Sequence, residues 1–163
     1  EGRYEFYLDQ NRALACAVCS YLLPEIDDQM IKGAIDGAMM SGRFDYQVVQ
    51  GQAYLCDVAH NVLGITSLLH GLSLKFKAKS IVFVVAIQEH KDYEGMLRLL
   101  SEFSDQVYLY SGKGFVSFEQ IQFLSMGIKS FSFDQMPTAE LVVVTGSFYF
   151  LALWKGRVFC EKV

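Results

Sequence analysis

The chain is 163 residues long, the length of one ordinary domain, and its 52% apolar and 20% charged composition excludes a disordered segment. Its 14 Lys and Arg stand against 18 Asp and Glu, a net charge of −4, and they are scattered, which excludes the basic stripe of a nucleic-acid partner. Apolar runs such as residues 81–87 and 148–154 fall far short of the ~20 residues that cross a bilayer, so no membrane partner is expected. The opening Glu1-Gly2-Arg3-Tyr4 has no basic region leading into an apolar one, so nothing reads as a signal peptide, and the expected address is cytoplasmic.

The first forty or so residues are helical in character. Residues 10–23 are rich in Ala, Leu and Cys and read as one helix, with Asp9 as N-cap and Pro24 beyond its end. A second helix is expected from about Glu25 and Ile26 through Ile31 and Ile35, whose spacing places them on one face. Two such helices bury no core of their own, so the segment is expected to pack against something else. Four cysteines occur, Cys16, Cys19, Cys56 and Cys160, and are expected as reduced, buried thiols. Cys16 and Cys19 match C-x-x-C in form, but with no second pair and no neighbouring His they read as packing.

A boundary is placed at 40/41, and from Gly42 the pattern changes to strands alternating with helices. Residues 46–50 and 52–57 are short β-rich runs around Gly51, either a hairpin or a strand continued across a bend. Val62, Ile65, Leu68, Leu69 and Leu72 recur at helical steps, and His70 among them reads as structural. Residues 81–87 form a β-branched run suited to burial on both faces. Tyr93, Met96, Leu97, Leu100 and Phe103 mark the next helix. Strand 107–110, helix 118–126, strand 129–133 and strand 141–144 follow, and 147–154 is left open between helix and strand. This alternation argues for an α/β fold, a Rossmann-like, mostly parallel sheet flanked by helices and preceded by a short helical segment.

Ligands of such sheets bind beyond the carboxyl ends of the strands, and four polar turns fall there. Asp57-Val58-Ala59-His60-Asn61 brings a carboxylate, an imidazole and an amide to a helix start, where free backbone N–H groups favour an anion; Asp57 or Asn61 equally suits a plain helix cap. Glu89-His90-Lys91-Asp92 is a charged quartet in which Asp92 suits a cap. Ser111-Gly112-Lys113-Gly114 lacks the spacing of a P-loop, and Thr145-Gly146-Ser147 is a small polar turn able to approach a ligand closely. No paired short spacing of His and Cys points to zinc, and no G-x-S-x-G elbow points to a serine hydrolase.

Taken in order, Asn11-Arg12-Ala13-Leu14-Ala15, Gly42-Arg43-Phe44, Asp57-Val58-Ala59-His60-Asn61, His90-Lys91-Asp92-Tyr93-Glu94-Gly95-Met96-Leu97 and Val144-Thr145-Gly146-Ser147-Phe148-Tyr149 resemble the carboxyl-terminal domain of folylpolyglutamate synthase/dihydrofolate synthase, within the Mur ligase superfamily. The resemblance implies an ATP-dependent ligase that phosphorylates a carboxylate of a folate or dihydropteroate and joins L-glutamate to it as an amide. By motif position it implies ATP contacts at Asn11, Arg43 and Asp57. A fixed fork of donors on Arg43 suits phosphate oxygens, and a carboxylate at Asp57 suits nucleotide hydroxyls. It brings His60, Asn61, Lys91, Asp92, Lys113 and Ser147 to the same cleft. Residues 1–40 then read as the helical end of a preceding central ATPase domain and 41–163 as the ligase's Rossmann-like domain.

The chain departs from the family at Val58, where Gly is usual, at Val62, where Pro is usual, and at Tyr7-Leu8, where His-Gln is common. Ser111-Gly112-Lys113-Gly114 replaces a Pro-Arg segment, leaving Lys113 as the substitute cation for the incoming amino acid. The chain holds no P-loop and no magnesium-ligand set, so the Mg2+ ligands and most catalytic groups are expected on the central domain, and this piece alone is expected to be inactive. Other readings are the equivalent domain of a peptidoglycan Mur ligase, a receiver-like module with Asp57 as phosphoacceptor, and a standalone noncatalytic nucleotide-binding module.

Overall fold

The computed structural model describes residues 8–38, 41–78 and 80–159, and it divides into two compact units, Glu1–Ser41 and Gly42–Val163. In the first unit, α1 (Leu8–Leu22) and α2 (Asp28–Gly37) pack on each other. Asp9 lies inside α1 instead of capping it. The second helix starts later than expected because the Asp27 carboxylate accepts a hydrogen bond from Gln29 N at 2.8 Å and sets the first turn there. Arg12 pairs with Asp36 across the two helices. Leu14, Tyr21, Leu22 and Met30 are all more than half exposed, an apolar surface that these two helices leave uncovered.

The second unit is built on a six-stranded sheet in the order β1-β2-β6-β3-β4-β5, made of β1 (Asp45–Val49), β2 (Gln52–Cys56), β3 (Ile81–Val85), β4 (Val107–Leu109), β5 (Lys129–Ser130) and β6 (Leu141–Thr145). Only the β1-β2 pair is antiparallel. The hairpin alternative is the one realised: Gln50 and Gly51 have φ of 53° and 82°, the two left-handed residues that a type I′ turn needs. From β2 the chain steps through α3 (Val62–Lys75), β3, α4 (Tyr93–Phe103), β4 and the short α5 (Phe118–Ile121) to β5, then returns to insert β6 between β2 and β3.

Side chains alternate across the sheet with the period of a strand. Leu55, Phe83, Val85, Leu109 and Val143 are fully buried on the face shared with α3 and α4, where Phe83 meets Phe103 edge-on. Tyr54, Cys56, Val82, Val84, Val142 and Val144 form a cluster on the other face with Phe150, Leu151 and Trp154 of α6 (Phe148–Trp154). Residues 147–154 therefore form a helix, capped by Ser147, whose hydroxyl accepts from Tyr149 N at 3.2 Å. A π-helical turn, Lys155–Phe159, follows it.

Several elements are shorter than the sequence pattern predicts: β3 ends at Val85 and β4 at Leu109, and two others stop earlier still. The helix expected over 118–126 ends at Ile121, continues as a 3-10 turn over Gln122–Leu124 and stops at Ser125, whose φ is 50°. The strand expected over 129–133 stops at Ser130, because Phe131 and Phe133 turn into an aromatic cluster with Phe150 and Trp154. Burying one such ring contributes about 1.5–3 kcal/mol, more than a β-pair of two residues offers. Of the described cysteines, Cys56 is buried and free, whereas Cys16 and Cys19 are free but only half-buried, less than expected.

Candidate functional site

β6 occupies the centre of the sheet, and the chain leaves it toward the opposite face from the exits of β2 and β3. Neighbouring turns therefore diverge at the carboxyl ends of these three strands, the place where open α/β sheets hold ligands. Strand pairing runs right up to this edge, with Asp57 N donating to Val144 O at 2.9 Å and Ala86 N to Thr145 O at 3.2 Å. Gly146 is required there: its φ is 101°, and a Cβ would lie 2.4 Å from Ala86 O. The Thr145 hydroxyl, fully buried, donates to Ala59 O at 3.3 Å and ties the two turns together.

Arg43 reaches this edge on the turn before β1. Gly42 and Phe44 both have positive φ, 83° and 48°, so Arg43 is the apex of a sharp turn. The turn is fastened from below by Asp57, which is 1% exposed. Its Oδ2 accepts from Phe44 N at 2.8 Å and its Oδ1 from Ala59 N at 2.8 Å. Gly42 O accepts from Val58 N at 2.9 Å, and the Phe44 ring is buried against Gly71, where a Cβ would lie 2.8 Å from it. The Arg43 guanidinium, half-buried, sits 5.5 Å from the centre of the Phe148 ring, an attractive arrangement of a cation on an aromatic face. Phe148 and Tyr149 are 47% and 74% exposed, so an aromatic surface lies open beside the guanidinium.

The other expected residues divide by what holds them. His60 is half-buried and its Nδ1 lies 2.9 Å from Val58 O, leaving the other ring nitrogen for a second contact. Asn61 caps α3 by accepting from Gly64 N at 2.7 Å, and Asp92 caps α4 by accepting from Gly95 N at 2.9 Å. Ser147 is buried as the cap of α6. A Cβ on Gly95 would touch both Asp92 and Val62, so the starts of α3 and α4 are adjacent and Lys91 stands beside them. Lys113 is exposed on the loop after β4, which is held to the β3 turn by Val116 N donating to Ile87 O at 2.8 Å and by the Gln88 to Phe115 bridge. Asn11 is exposed on α1, in the other unit. Among the described residues no three His, Cys, Asp or Glu side chains are grouped to hold a metal ion, and no helix is long and apolar enough to cross a membrane.

Sequence reasoning missed Phe148 as the platform for Arg43 and Thr145 as the tie between turns. An exposed aromatic at the first position of a helix after a polar turn was the available signal for Phe148; no local signal marked Thr145. A cavity of about 760 Å³ opens at the opposite edge of the sheet, lined by Ser80, Ile81, Ser104, Gln106 and Met136 among others. Two of its polar side chains are occupied internally: Ser104 donates to Ile81 O at 2.7 Å, and Gln106 accepts from Lys129 at 2.7 Å. None of the expected site residues lines it.

A mostly parallel six-stranded sheet with helices on both faces and its polar turns gathered at a crossover switch is a Rossmann-like α/β domain. No protein-family model and no curated protein matches the sequence. Among solved structures, the chain is similar to the folylpolyglutamate synthase of Thermotoga maritima, with a TM-score of 0.66 and 21% identity over 85% of this chain and 35% of that one. It is also similar to the bifunctional folylpolyglutamate synthase/dihydrofolate synthase of Yersinia pestis complexed with AMPPNP and Mn, with a TM-score of 0.65 and 27% identity over 82% of this chain and 35% of that one. A third is Escherichia coli FolC in complex with DHPP and ADP, with a TM-score of 0.67 and 22% identity over 85% of this chain and 36% of that one. The resemblance to the carboxyl-terminal domain of folylpolyglutamate synthase/dihydrofolate synthase is thus borne out in the fold, and this chain spans about a third of the length of those enzymes.

Proposed function

We propose that this chain is the carboxyl-terminal part of an ATP-dependent ligase that joins L-glutamate to a folate or dihydropteroate, closing over the nucleotide from one side. The observation that carries the reading is the Arg43 turn: a guanidinium fixed at the apex of a clamped turn, at the ligand-binding edge of a sheet whose solved relatives include complexes with AMPPNP, ADP and DHPP. Arg43 would take phosphate oxygens, since a planar fork of donors matches them and stays charged at any working pH. Asn11 and Asp57 belong to the same nucleotide site in this reading, with His60, Asn61, Lys91, Asp92 and Ser147 around the cleft and Lys113 as the cation nearest an incoming amino acid.

The residues present fit part of such a site. A half-buried guanidinium beside open aromatic surface suits a nucleotide, while among the described residues no grouped carboxylates suit a metal. In this reading ATP supplies the phosphoryl group that activates the substrate carboxylate, and Mg2+ is held by a preceding central ATPase domain. Residues 1–40 would be the end of that domain, which accords with the uncovered apolar surface on α1 and α2, and 41–163 the domain that closes over it. Without that partner the chain would bind nucleotide weakly and turn nothing over, because phosphate positioning and charge neutralisation supply most of the barrier reduction in phosphoryl transfer. The place of action would be the cytoplasm.

The test is ATP-dependent addition of L-glutamate to dihydropteroate and to a folate, with ADP release followed in parallel, in the natural chain that carries these residues. Product formation dependent on ATP and glutamate supports the reading. Amino-acid addition to a nucleotide-linked sugar acid instead would assign it to the peptidoglycan branch, and magnesium-dependent turnover by the 163 residues alone would overturn the division of labour.

A further inference from the structure

α6 and the π-helical turn that extends it carry Phe148, Leu151 and Lys155 at i, i+3 and i+7, a spacing that puts them on one side of the helix. Each meets a residue of the segment 42–45, which carries Arg43. The Arg43 guanidinium lies over the Phe148 ring, 5.5 Å from its centre. A Cβ on Gly42 would lie 2.9 Å from a methyl of Leu151, so α6 lies directly against the turn just before Arg43. Lys155 Nζ lies 2.6 Å from Asp45 Oδ2, and the same oxygen accepts from Gly42 N at 3.2 Å, closing the turn at its base. We infer that Phe148 is a positioning residue, which holds the Arg43 guanidinium at the sheet edge before a nucleotide arrives and acts on the nucleotide through Arg43; this rests on the function proposed above.

A single half-exposed phenylalanine is common and calls for no explanation. Its place in register with two further contacts to the same short segment does. The ring is well anchored, because Phe148 opens a helix whose Phe150, Leu151 and Trp154 are buried in the core. On the other side, the Arg43 backbone is set by the positive φ of both its neighbours, Gly42 and Phe44. What remains free in such a turn is the arginine side chain, which is long and rich in rotamers. The attraction between a cation and the negative face of a ring restrains it in advance, so less freedom is lost when phosphate oxygens bind. Phe148 is 47% exposed, so Phe148→Leu is expected to leave the fold intact.

A double-mutant cycle tests whether the ring acts through the guanidinium. In the natural chain that carries these residues, Kd for ATP is measured for wild type, Phe148→Leu, Phe148→Tyr, Arg43→Gln and the variant combining Phe148→Leu with Arg43→Gln. Loss of the ring should weaken ATP binding about three- to tenfold, whereas Phe148→Tyr, which keeps an aromatic face, should bind within about twofold of wild type. In the Arg43→Gln background, Phe148→Leu should have no further effect. A loss of equal size in both backgrounds would show that the ring touches the nucleotide itself, and equal affinity of Phe148→Leu and wild type would show that Arg43 needs no support. Either result overturns the inference.

A second measurement needs no nucleotide. In the NMR spectrum of the wild-type chain, the δ and ε protons of Arg43 are expected upfield of their positions in an unstructured chain, because they lie over the face of the Phe148 ring. Phe148→Tyr should keep that shift and Phe148→Leu should abolish it. Unshifted Arg43 protons in the wild type refute the placement of the guanidinium on the ring, and with it the inference. Shifted protons in a wild type that binds no ATP would instead count against the proposed function, with the pairing of Arg43 and Phe148 itself demonstrated.

Discussion

Lys155 Nζ lies 2.6 Å from Asp45 Oδ2 and joins the turn after α6 to the outermost strand. Both side chains are about one-fifth exposed. Burial pushes the Asp45 carboxyl up, but the hydrogen bonds from Lys155, Gln47 and the Gly42 amide, with the Lys155 charge, outweigh it and hold the group below its ordinary value of 3.8. Folded Asp45 therefore binds its proton less readily than unfolded Asp45. The stability it contributes is complete above 3.8 and is lost as pH falls through the lower folded value. Urea unfolding should show a gap between wild type and Asp45→Asn that is constant above pH 3.8 and narrows as pH is lowered beneath it. At neutral pH, Lys155→Met should cost about 1–2 kcal/mol, because it leaves the carboxylate half-buried without its cation.

Cys56 is fully buried beside the same pair, and its thiol is pushed up to about 12 by burial, with the Asp45 and Asp57 carboxylates adding to the effect and Lys155 opposing it. The thiolate is the reactive form. Site-resolved mass spectrometry after treatment with iodoacetamide at neutral pH should find Cys56 unmodified in the folded chain and modified in urea, while half-buried Cys16 and Cys19 are labelled in both. Modification of Cys56 under native conditions would mean that the α6 face of the sheet opens readily.

Gly146→Ala should be among the most damaging single-methyl additions in the chain. Its Cβ would lie 2.4 Å from Ala86 O and 2.9 Å from a methyl of Val85 at a φ of 101°. Neither the buried strand beside it nor the backbone angle can yield cheaply. A loss of roughly 2–4 kcal/mol is expected from strain and overpacking together, read from thermal or chemical unfolding.

Trp154 is the only tryptophan, fully buried, and its indole N–H has no hydrogen-bond partner among the described residues. Trp154→Phe removes contact area but also removes that orphaned donor, a group that costs about 1–3 kcal/mol when buried alone. The two effects oppose each other. The substitution should therefore cost well under the roughly 3–5 kcal/mol of Trp154→Ala, a difference measurable by circular dichroism.

Much of the second unit was legible because its strands are short apolar runs and its helices carry stripes at helical spacing. Val62 to Leu72 and Tyr93 to Phe103 announced α3 and α4 by periodicity alone, and residues 81–87 announced a doubly buried strand. The short β5 was not legible, since Phe131 and Phe133 belong to a β-rich run and leave the sheet only because aromatic partners from α6, distant in sequence, receive them. The site divides in the same way. The polar turns could be placed at the carboxyl ends because sheet topology puts them there. The fastening of Arg43 could not, because it depends on a carboxylate 13 residues away and on a left-handed φ at a phenylalanine, neither of which has a local signature.

The insertion of β6 between β2 and β3 has a kinetic consequence. β2 and β3 pair with β6 and not with each other, so the middle of the sheet stays vacant until the segment Leu141–Thr145 has been synthesised. During translation the earlier strands present unpaired, strongly apolar flanks, the surfaces on which nascent chains associate wrongly. Closure of the sheet is therefore a late, long-range event with high contact order. Emergence of Leu141–Thr145, more than any local helix, should time the acquisition of native structure in this sheet, and a ribosome stalled before residue 141 would hold two half-sheets that have not yet met.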